Sequence, residues 1–248
     1  MYLKIDNRKI HYKIIGQGKP ILFVHGWGGN LYSLLKLGTL ASKKYQAILI
    51  DLPGFGKSDN PPPEWGVEGY ADLIGHFIKT LDLKKPHYVG HSFGGALGIY
   101  IASHYPRLID TLVLSNSSYK RENKISQSAK LIKMVPKENP ILNIIAPYAK
   151  KVYYKLFHKG SDLMKYPHLE SNFRKIVTQD LTNLTAKIKI PTLILWGEED
   201  TMTPVLLAYE LKKNIPHALL KVFPNVRHNL PLKYPNEVWF EIKSFFST

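Results

Sequence analysis

The sequence predicts an α/β domain built on a mostly parallel, eight-stranded sheet flanked by helices, with a helical lid inserted after the sixth strand. Three observations predict it. Short runs rich in Val, Ile and Leu, closed by Gly, Asp or Asn, recur along the first 116 residues, as strands buried on both faces require. Segments of helical length and apolar spacing lie between them, the alternation that builds parallel sheets. The rhythm stops after residue 117 and resumes near residue 190.

The first two strands are expected near residues 2–5 and 11–16, close enough to pair as an edge hairpin. "ILFVHG" (21–26), "AILID" (47–51), "HYVGH" (87–91) and "TLVLSN" (111–116) are the next four, with helices expected at 31–43, 67–81 and 93–105. From 118 to 186 the spacing is helical but broken by Pro136, Pro140 and Pro147, which predicts an inserted lid rather than more sheet. The strand pattern returns in "IPTLILWGEED" (190–200), followed by a helix near 204–213, the strand "LLKVFP" (219–224) and a last helix near 235–246. The expected organisation is a core of residues 1–117 and 187–248 carrying a lid of residues 118–186. A chain of 248 residues suffices for one large domain and is too short for a second full one.

A content of 44% hydrophobic and 21% charged residues and a mean hydropathy of -0.17 fit a soluble globular protein. Cysteine is absent, which excludes disulfides, a thiol nucleophile and a thiolate metal site. The N-terminal stretch lacks the pattern of a signal peptide, and no apolar run reaches the roughly 20 residues of a membrane span. The expected location is therefore cytoplasmic. Net charge is +15, and residues 118–189 supply +10 of it, with 15 Lys and Arg against 5 Asp and Glu. The plain reading of that segment is a solvated basic face; the sharper one is a docking surface for an acidic carrier protein. No recognisable nucleic-acid module, H-E-x-x-H helix or phosphate-cradling glycine loop is present, so no nucleic acid, metal or cofactor is expected.

"GHSFGG" (90–95) stands between an expected strand and an expected helix and has the form G-x-S-x-G. Without Cβ atoms at Gly90 and Gly94, strand and helix can approach closely, which sets Ser92 at the apex of a sharp turn with its hydroxyl exposed. A serine hydroxyl is a poor nucleophile at neutral pH and needs a base, and the base needs a carboxylate to orient it. "WGEEDTMTP" (196–204) places Asp200, with Glu198 and Glu199 as rivals, after the penultimate strand; "NVRHNLP" (225–231) places His228 after the last. The duller readings are a helix cap for Asp200 and an ordinary surface or core role for His228, one of ten histidines. Loops at the carboxyl ends of parallel strands share one rim, which favours the catalytic reading of Ser92, Asp200 and His228.

Taken together, these motifs resemble the α/β-hydrolase superfamily, in its lidded serine-esterase form, over nearly the whole chain outside the lid. "FVHGWGG" (23–29) is similar to the family's His-Gly oxyanion loop, "DLPGFGKSD" (51–59) to its turn after the fourth strand, and "GHSFGG" to its nucleophile elbow. The order Ser, Asp, His along the chain is also the family's. The resemblance implies that the backbone N–H groups of Trp27 and Phe93 form an oxyanion hole, and that His25 and His91 are structural. The side chains of Trp27 and Phe93 are expected to line the substrate pocket. Apolar lid residues, Met134, Ile144 and Tyr148 among them, either extend that pocket or seal the lid against the sheet. Some relatives carry the acid after the sixth strand, where this chain has Asn116 and no carboxylate. A serine in the elbow excludes the branches that use an aspartate nucleophile.

The expected function is hydrolysis of a small-molecule carboxylic ester through an acyl-enzyme. The alternatives are cleavage of a carbon-carbon bond, a thioester or a carrier-linked ester on the same triad, and a non-catalytic ligand-binding role. "HGWGGN" departs from the H-G-x-G-P-G frequent in carbon-carbon hydrolases. The catalytic reading requires the Ser92 hydroxyl to meet the His228 imidazole and the imidazole to meet Asp200.

Overall fold

The computed structural model describes residues 1–120 and 165–247. The chain divides into two compact units, one of Met1–Arg121 with Leu169–Thr248 and one of Glu122–His168. Of the second unit, the described residues are 165–168, which lead into a 3-10 turn at Pro167–Leu169. The first unit carries the sheet and every expected catalytic residue.

Its strands are β1 (Tyr2–Ile5), β2 (Arg8–Ile15), β3 (Pro20–Val24), β4 (Gln46–Ile50), β5 (His87–His91), β6 (Leu112–Ser115), β7 (Thr192–Gly197) and β8 (Leu219–Phe223). They form one sheet in the order β1-β2-β4-β3-β5-β6-β7-β8. β1 and β2 pair antiparallel, as do β2 and β4, and every other neighbouring pair is parallel. The inner strands are buried almost throughout, whereas β1, β2 and β8 alternate or stay half exposed. That contrast explains the sequence pattern: a strand covered on both faces has no position left for a polar side chain.

Helices α1 (Leu35–Ala41), α2 (Val67–Thr80) and α3 (Phe93–His104) follow β3, β4 and β5. After β6, the described part of the helical insertion contributes α4 (Glu170–Thr178) and α5 (Thr182–Thr185); α6 (Leu206–Asn214), α7 (Leu230–Lys233) and α8 (Pro235–Phe245) complete the unit. Helices α1 and α8 pack together over one face of the sheet, where Ile21, Phe23, Leu49, Val89 and Leu195 meet Leu37, Val238 and Ile242 in one apolar cluster. Helices α2 and α3 pack together and α3 lies on β5 and β6. Because α3 is covered on more than one side, it is buried nearly all round and lacks a polar face in its middle turns.

Among the differences from the expected elements, β2 runs Arg8–Ile15 rather than over the expected 11–16. The helix expected at 31–43 starts as a 3-10 turn, Leu31–Leu34, because Asn30 caps it tightly: Tyr32 N–H donates to Asn30 Oδ1 at 3.0 Å and Asn30 N–H to Ser33 Oγ at 3.2 Å. The short helix α7, not anticipated, forms immediately after His228 with Pro231 in its first turn, where proline's missing N–H costs nothing.

Sheet order decides where a site can lie. The chain leaves β3 toward β4 on one side and reaches β5 on the other, so the loops after β3 and β5 part at a topological switch point, the usual place for a ligand in such sheets.

Candidate active site

At that switch point the chain passes from β5 through Ser92 into α3. Ser92 has φ +52 and ψ -112, a conformation costly for any residue with a Cβ and held only because its surroundings over-determine it. Its N–H donates to Ser115 O at 2.9 Å, and its carbonyl accepts from Gly95 N–H at 3.0 Å and Ser118 N–H at 3.0 Å. The flanking glycines are obligatory: a Cβ at Gly90 would overlap the Gly94 carbonyl, and one at Gly94 would overlap the Val24 carbonyl. The half-buried Ser92 hydroxyl makes no hydrogen bond with the described residues.

Loop 25–29 runs directly against this turn, since a Cβ at Gly26 would stand 3.0 Å from Ser92 Cβ. Its shape is set by His25. Leu52 N–H donates to His25 Nε2 at 3.0 Å, so the ring proton sits on Nδ1, 2.7 Å from the Gly26 carbonyl. Burial pushes His25 down to about 4, which keeps the ring in that neutral tautomer. The loop presents Trp27, whose backbone N–H, like that of Phe93 at the start of α3, makes no hydrogen bond with the described residues. The Trp27 ring packs edge-on against Phe55 at 4.9 Å and Phe93 at 5.8 Å, and meets Phe173 of α4 at 5.2 Å. Its indole N–H is buried with no hydrogen-bond partner among the described residues.

On the other side of the rim Asp200 is enclosed. Its Oδ1 accepts from the N–H groups of Met202 (2.8 Å) and Thr203 (2.9 Å). Its Oδ2 accepts from Asn116 Nδ2 (2.6 Å), Thr203 Oγ1 (2.7 Å) and His228 Nδ1 (2.8 Å). Burial alone would raise this carboxyl, but the hydrogen bond and charge of His228 and the bonds from Thr203 outweigh it and hold Asp200 below its ordinary value. Glu198 and Glu199, the rivals, are exposed. A carboxylate only accepts, so His228 carries its proton on Nδ1 and leaves Nε2 with a free lone pair.

The structure thus brings imidazole and acid together in a hydrogen bond and brings their loop to the elbow. His91, the residue before Ser92, donates from Nε2 to the His228 carbonyl at 2.9 Å. Burial, with His228 beside it, pushes His91 down to about 3, so it stays neutral and serves as a clamp rather than a base. The expected contact between the Ser92 hydroxyl and His228 is not a hydrogen bond here; without substrate such bonds are often long and tighten only in the complex. Met134, Ile144 and Tyr148 lie outside the described residues.

Sequence reasoning passed over two residues. Asn116 is fully buried with φ +48 and donates to the oxygen that also faces His228, while Ser115 Oγ donates to Asn116 Oδ1 at 3.3 Å. Thr203 Oγ1 touches Asp200 and lies 3.2 Å from His228 Nδ1. The available signal was their place, since both stand at the carboxyl ends of neighbouring strands. Among the described residues no group of three His, Asp or Glu side chains could hold a metal ion, and no helix is long and apolar enough to cross a membrane.

A buried Asp-His pair set beside a strained serine turn at the switch point of a parallel sheet defines a serine hydrolase of the carboxylesterase-like type. The family model described as alpha/beta hydrolase fold matches residues 19–143 and 145–234, and the chain belongs to that family. It is 30% identical to the AB hydrolase superfamily protein YisY of Bacillus subtilis (strain 168), over 92% of this chain and 91% of that one. It is 26% identical to the monoacylglycerol lipase ABHD6 of Bos taurus, over 95% of this chain and 78% of the relative. The enol-lactonase from Burkholderia xenovorans LB400 superposes with a TM-score of 0.80 at 18% identity, covering 100% of both chains, a likeness of fold.

Proposed function

We propose that this protein hydrolyses small-molecule carboxylic esters through an acyl-enzyme on Ser92, with His228 as general base and acid and Asp200 orienting it. The observation that carries this reading is the buried 2.8 Å bond from His228 Nδ1 to Asp200, which leaves Nε2 as the basic atom on the loop clamped beside Ser92. His228 Nε2 takes the Ser92 proton as Oγ attacks the ester carbonyl carbon. The resulting oxyanion accepts from the N–H groups of Trp27 and Phe93, each such donor contributing roughly 2.7 to 4 kcal/mol in a water-poor site. Collapse expels the alcohol, which takes its proton from His228. Water then gives a proton to His228 and attacks the acyl carbon, and Ser92 leaves with that proton as the acid is released.

In this reading Trp27 and Phe93 line the acyl pocket. The insertion 118–186 is assigned the choice of acyl group, and the absence of cysteine suits a reducing, cytoplasmic setting. Hydrolysis of a p-nitrophenyl butyrate ester should show a burst of p-nitrophenol in the wild type, and Ser92→Ala should abolish both burst and turnover. Retention of wild-type turnover by Ser92→Ala would refute the assignment.

The charge of residues 118–189 favours one refinement, an ester presented by an acidic carrier protein. Turnover of a carrier-linked ester should then fall steeply with added salt while that of a small ester does not. Equal salt responses would remove the carrier and leave the esterase.

A further inference from the structure

At the end of α3 away from Ser92, a cavity of about 600 Å³ opens between α2 and the segment that follows α3. The twelve residues of α3 separate the two by about 18 Å at the rise of an α-helix. Asp72, Gly75, His76 and Lys79 line it from α2, and residues 104–108 from the other side. Through Lys79, Arg107 and Leu108 it adjoins a second cavity of about 550 Å³ rimmed by Asp82, Lys84 and Lys85.

Two independent features point to a ligand. The first is charge. Asp72 accepts from the Tyr105 hydroxyl at 2.9 Å and keeps its charge, and Asp82 pairs with Lys84, but Lys79, Lys84, Lys85 and Arg107 outnumber these two acids along the two cavities. His76 faces Asp6 and His104 faces the Tyr100 carbonyl. Lys79, Lys85 and Arg107 are exposed and make no ion pair with the described residues. Lys79 stands in the last turn of α2, where a cation also stabilises the helix end, but Arg107 lies beyond α3 and has no such duty.

The second is Gly75. Glycine inside a helix is destabilising and needs a reason. At Gly98 of α3 packing supplies one, because a Cβ would stand 2.6 Å from Tyr88 Cε1. At Gly75 packing supplies none: the nearest neighbour of a Cβ is Leu108 Cδ2 at an ordinary 3.6 Å. Gly75 is itself buried and lines the cavity, and the missing side chain leaves room beside Leu108 at the cavity wall.

We propose that this cleft binds an amphiphilic anion, an alkyl carboxylate or alkyl phosphate, with the anionic head between Lys79 and Arg107 and the chain over Gly75, Leu108 and Pro106. The site is separate from Ser92 and does not depend on the reaction proposed there.

Titration calorimetry of the full chain with decanoate and with decyl phosphate tests it, with inorganic phosphate as the head alone and decyltrimethylammonium as a cationic chain. One saturable site is expected for both alkyl anions, at least about tenfold weaker in Arg107→Glu and lost in Gly75→Leu, whose side chain fills that room. Gly75→Ala, a smaller change, should weaken binding partway and controls for any folding defect of the leucine variant. An anion held only at the Ser92 pocket would be indifferent to Gly75→Leu, and that indifference overturns the proposal. So does a missing saturable site, equal binding of the cationic chain, or inorganic phosphate binding as tightly as decyl phosphate.

Discussion

The two halves of the active-site rim are built on opposite plans. Around Asp200 every carboxylate lone pair is used, by two backbone amides, an asparagine, a threonine and the imidazole. Around Ser92 the backbone is strained, and among the described residues neither the hydroxyl nor the amides of Trp27 and Phe93 have a hydrogen-bond partner. Saturated hydrogen bonding suits a group that must not move or take up a proton, while open donors and a free hydroxyl suit the place where charge and bonds change. The difference is a division between holding and reacting.

Removing the hydroxyl of the proposed nucleophile should have the largest effect. Ser92→Ala is expected to lower kcat by about a millionfold, and Asp200→Asn, which leaves the geometry but reverses the imidazole tautomer, by about ten-thousandfold. Single-turnover kinetics on an activated ester measures both. Ser92→Gly sharpens the contrast further, because relief of the positive φ should stabilise the fold by about 1 kcal/mol while activity is lost. A Ser92→Gly protein no more stable than wild type in urea would mean that the elbow stores no strain.

Acid separates the halves next. His25 and His91 are held neutral on the nucleophile side, at about 4 and about 3 against an ordinary 6.5. Below 6.5 the unfolded chain binds protons that the folded chain refuses, so stability falls as pH drops from about 6.5 toward those values, by about 2 kcal/mol for each histidine near pH 5. Asp200 has the same sign of dependence in a lower window: its carboxyl is held below its ordinary 3.8, so its contribution persists above that value and is lost only as pH falls beneath it. Urea midpoints from about pH 7 to about pH 5 should therefore decline, and less so in His91→Gln. A flat profile over that range would show that the buried histidines titrate freely.

Much of this is legible in the sequence because strand ends announce themselves. Runs rich in Val, Ile and Leu, closed by Gly, Asp or Asn, locate β3 to β7, and the loops after β5, β7 and β8 locate Ser92, Asp200 and His228 on one rim. Asn116 and Thr203 are not legible as site residues, since a buried amide or hydroxyl acquires its role only when another strand brings a carboxylate to it. In the sequence Asn116 stands out only for lacking a charge, yet it lies where that charge would have met Asp200. The α2 cleft is hidden for a related reason: Asp72, His76 and Lys79 at helical spacing read as an ordinary polar face, and only the chain after α3 turns that face into one wall of a cavity.

Asn116 tests the holding half directly. Asn116→Ala removes a donor from a buried carboxylate and should cost about 1 to 3 kcal/mol of stability, with kcat/KM falling about tenfold as Asp200 gains freedom. Asn116→Asp instead places a second carboxyl against Asp200; added negative charge favours the imidazolium form of His228, so the acidic limb of the kcat/KM profile should move to higher pH. A residue that merely fills space would change stability in both variants and leave the limb where it was.

The smallest effect contrasts two kinds of glycine. Gly90 and Gly94 serve the reacting half, where any Cβ would overlap a backbone carbonyl, so alanine at either position should disrupt the elbow. Gly75, at the far end of α3, meets no such obstacle, and its nearest prospective neighbour is a flexible Leu108 methyl at 3.6 Å. Alanine there recovers helix propensity and should raise stability by about 0.5 to 1 kcal/mol. It does so far from Ser92, so ester turnover should stay at the wild-type rate while the urea midpoint rises. If Gly75→Ala destabilises instead, α2 needs the glycine for its packing on α3, and the space beside Leu108 is a by-product of helix contact rather than room kept for a ligand.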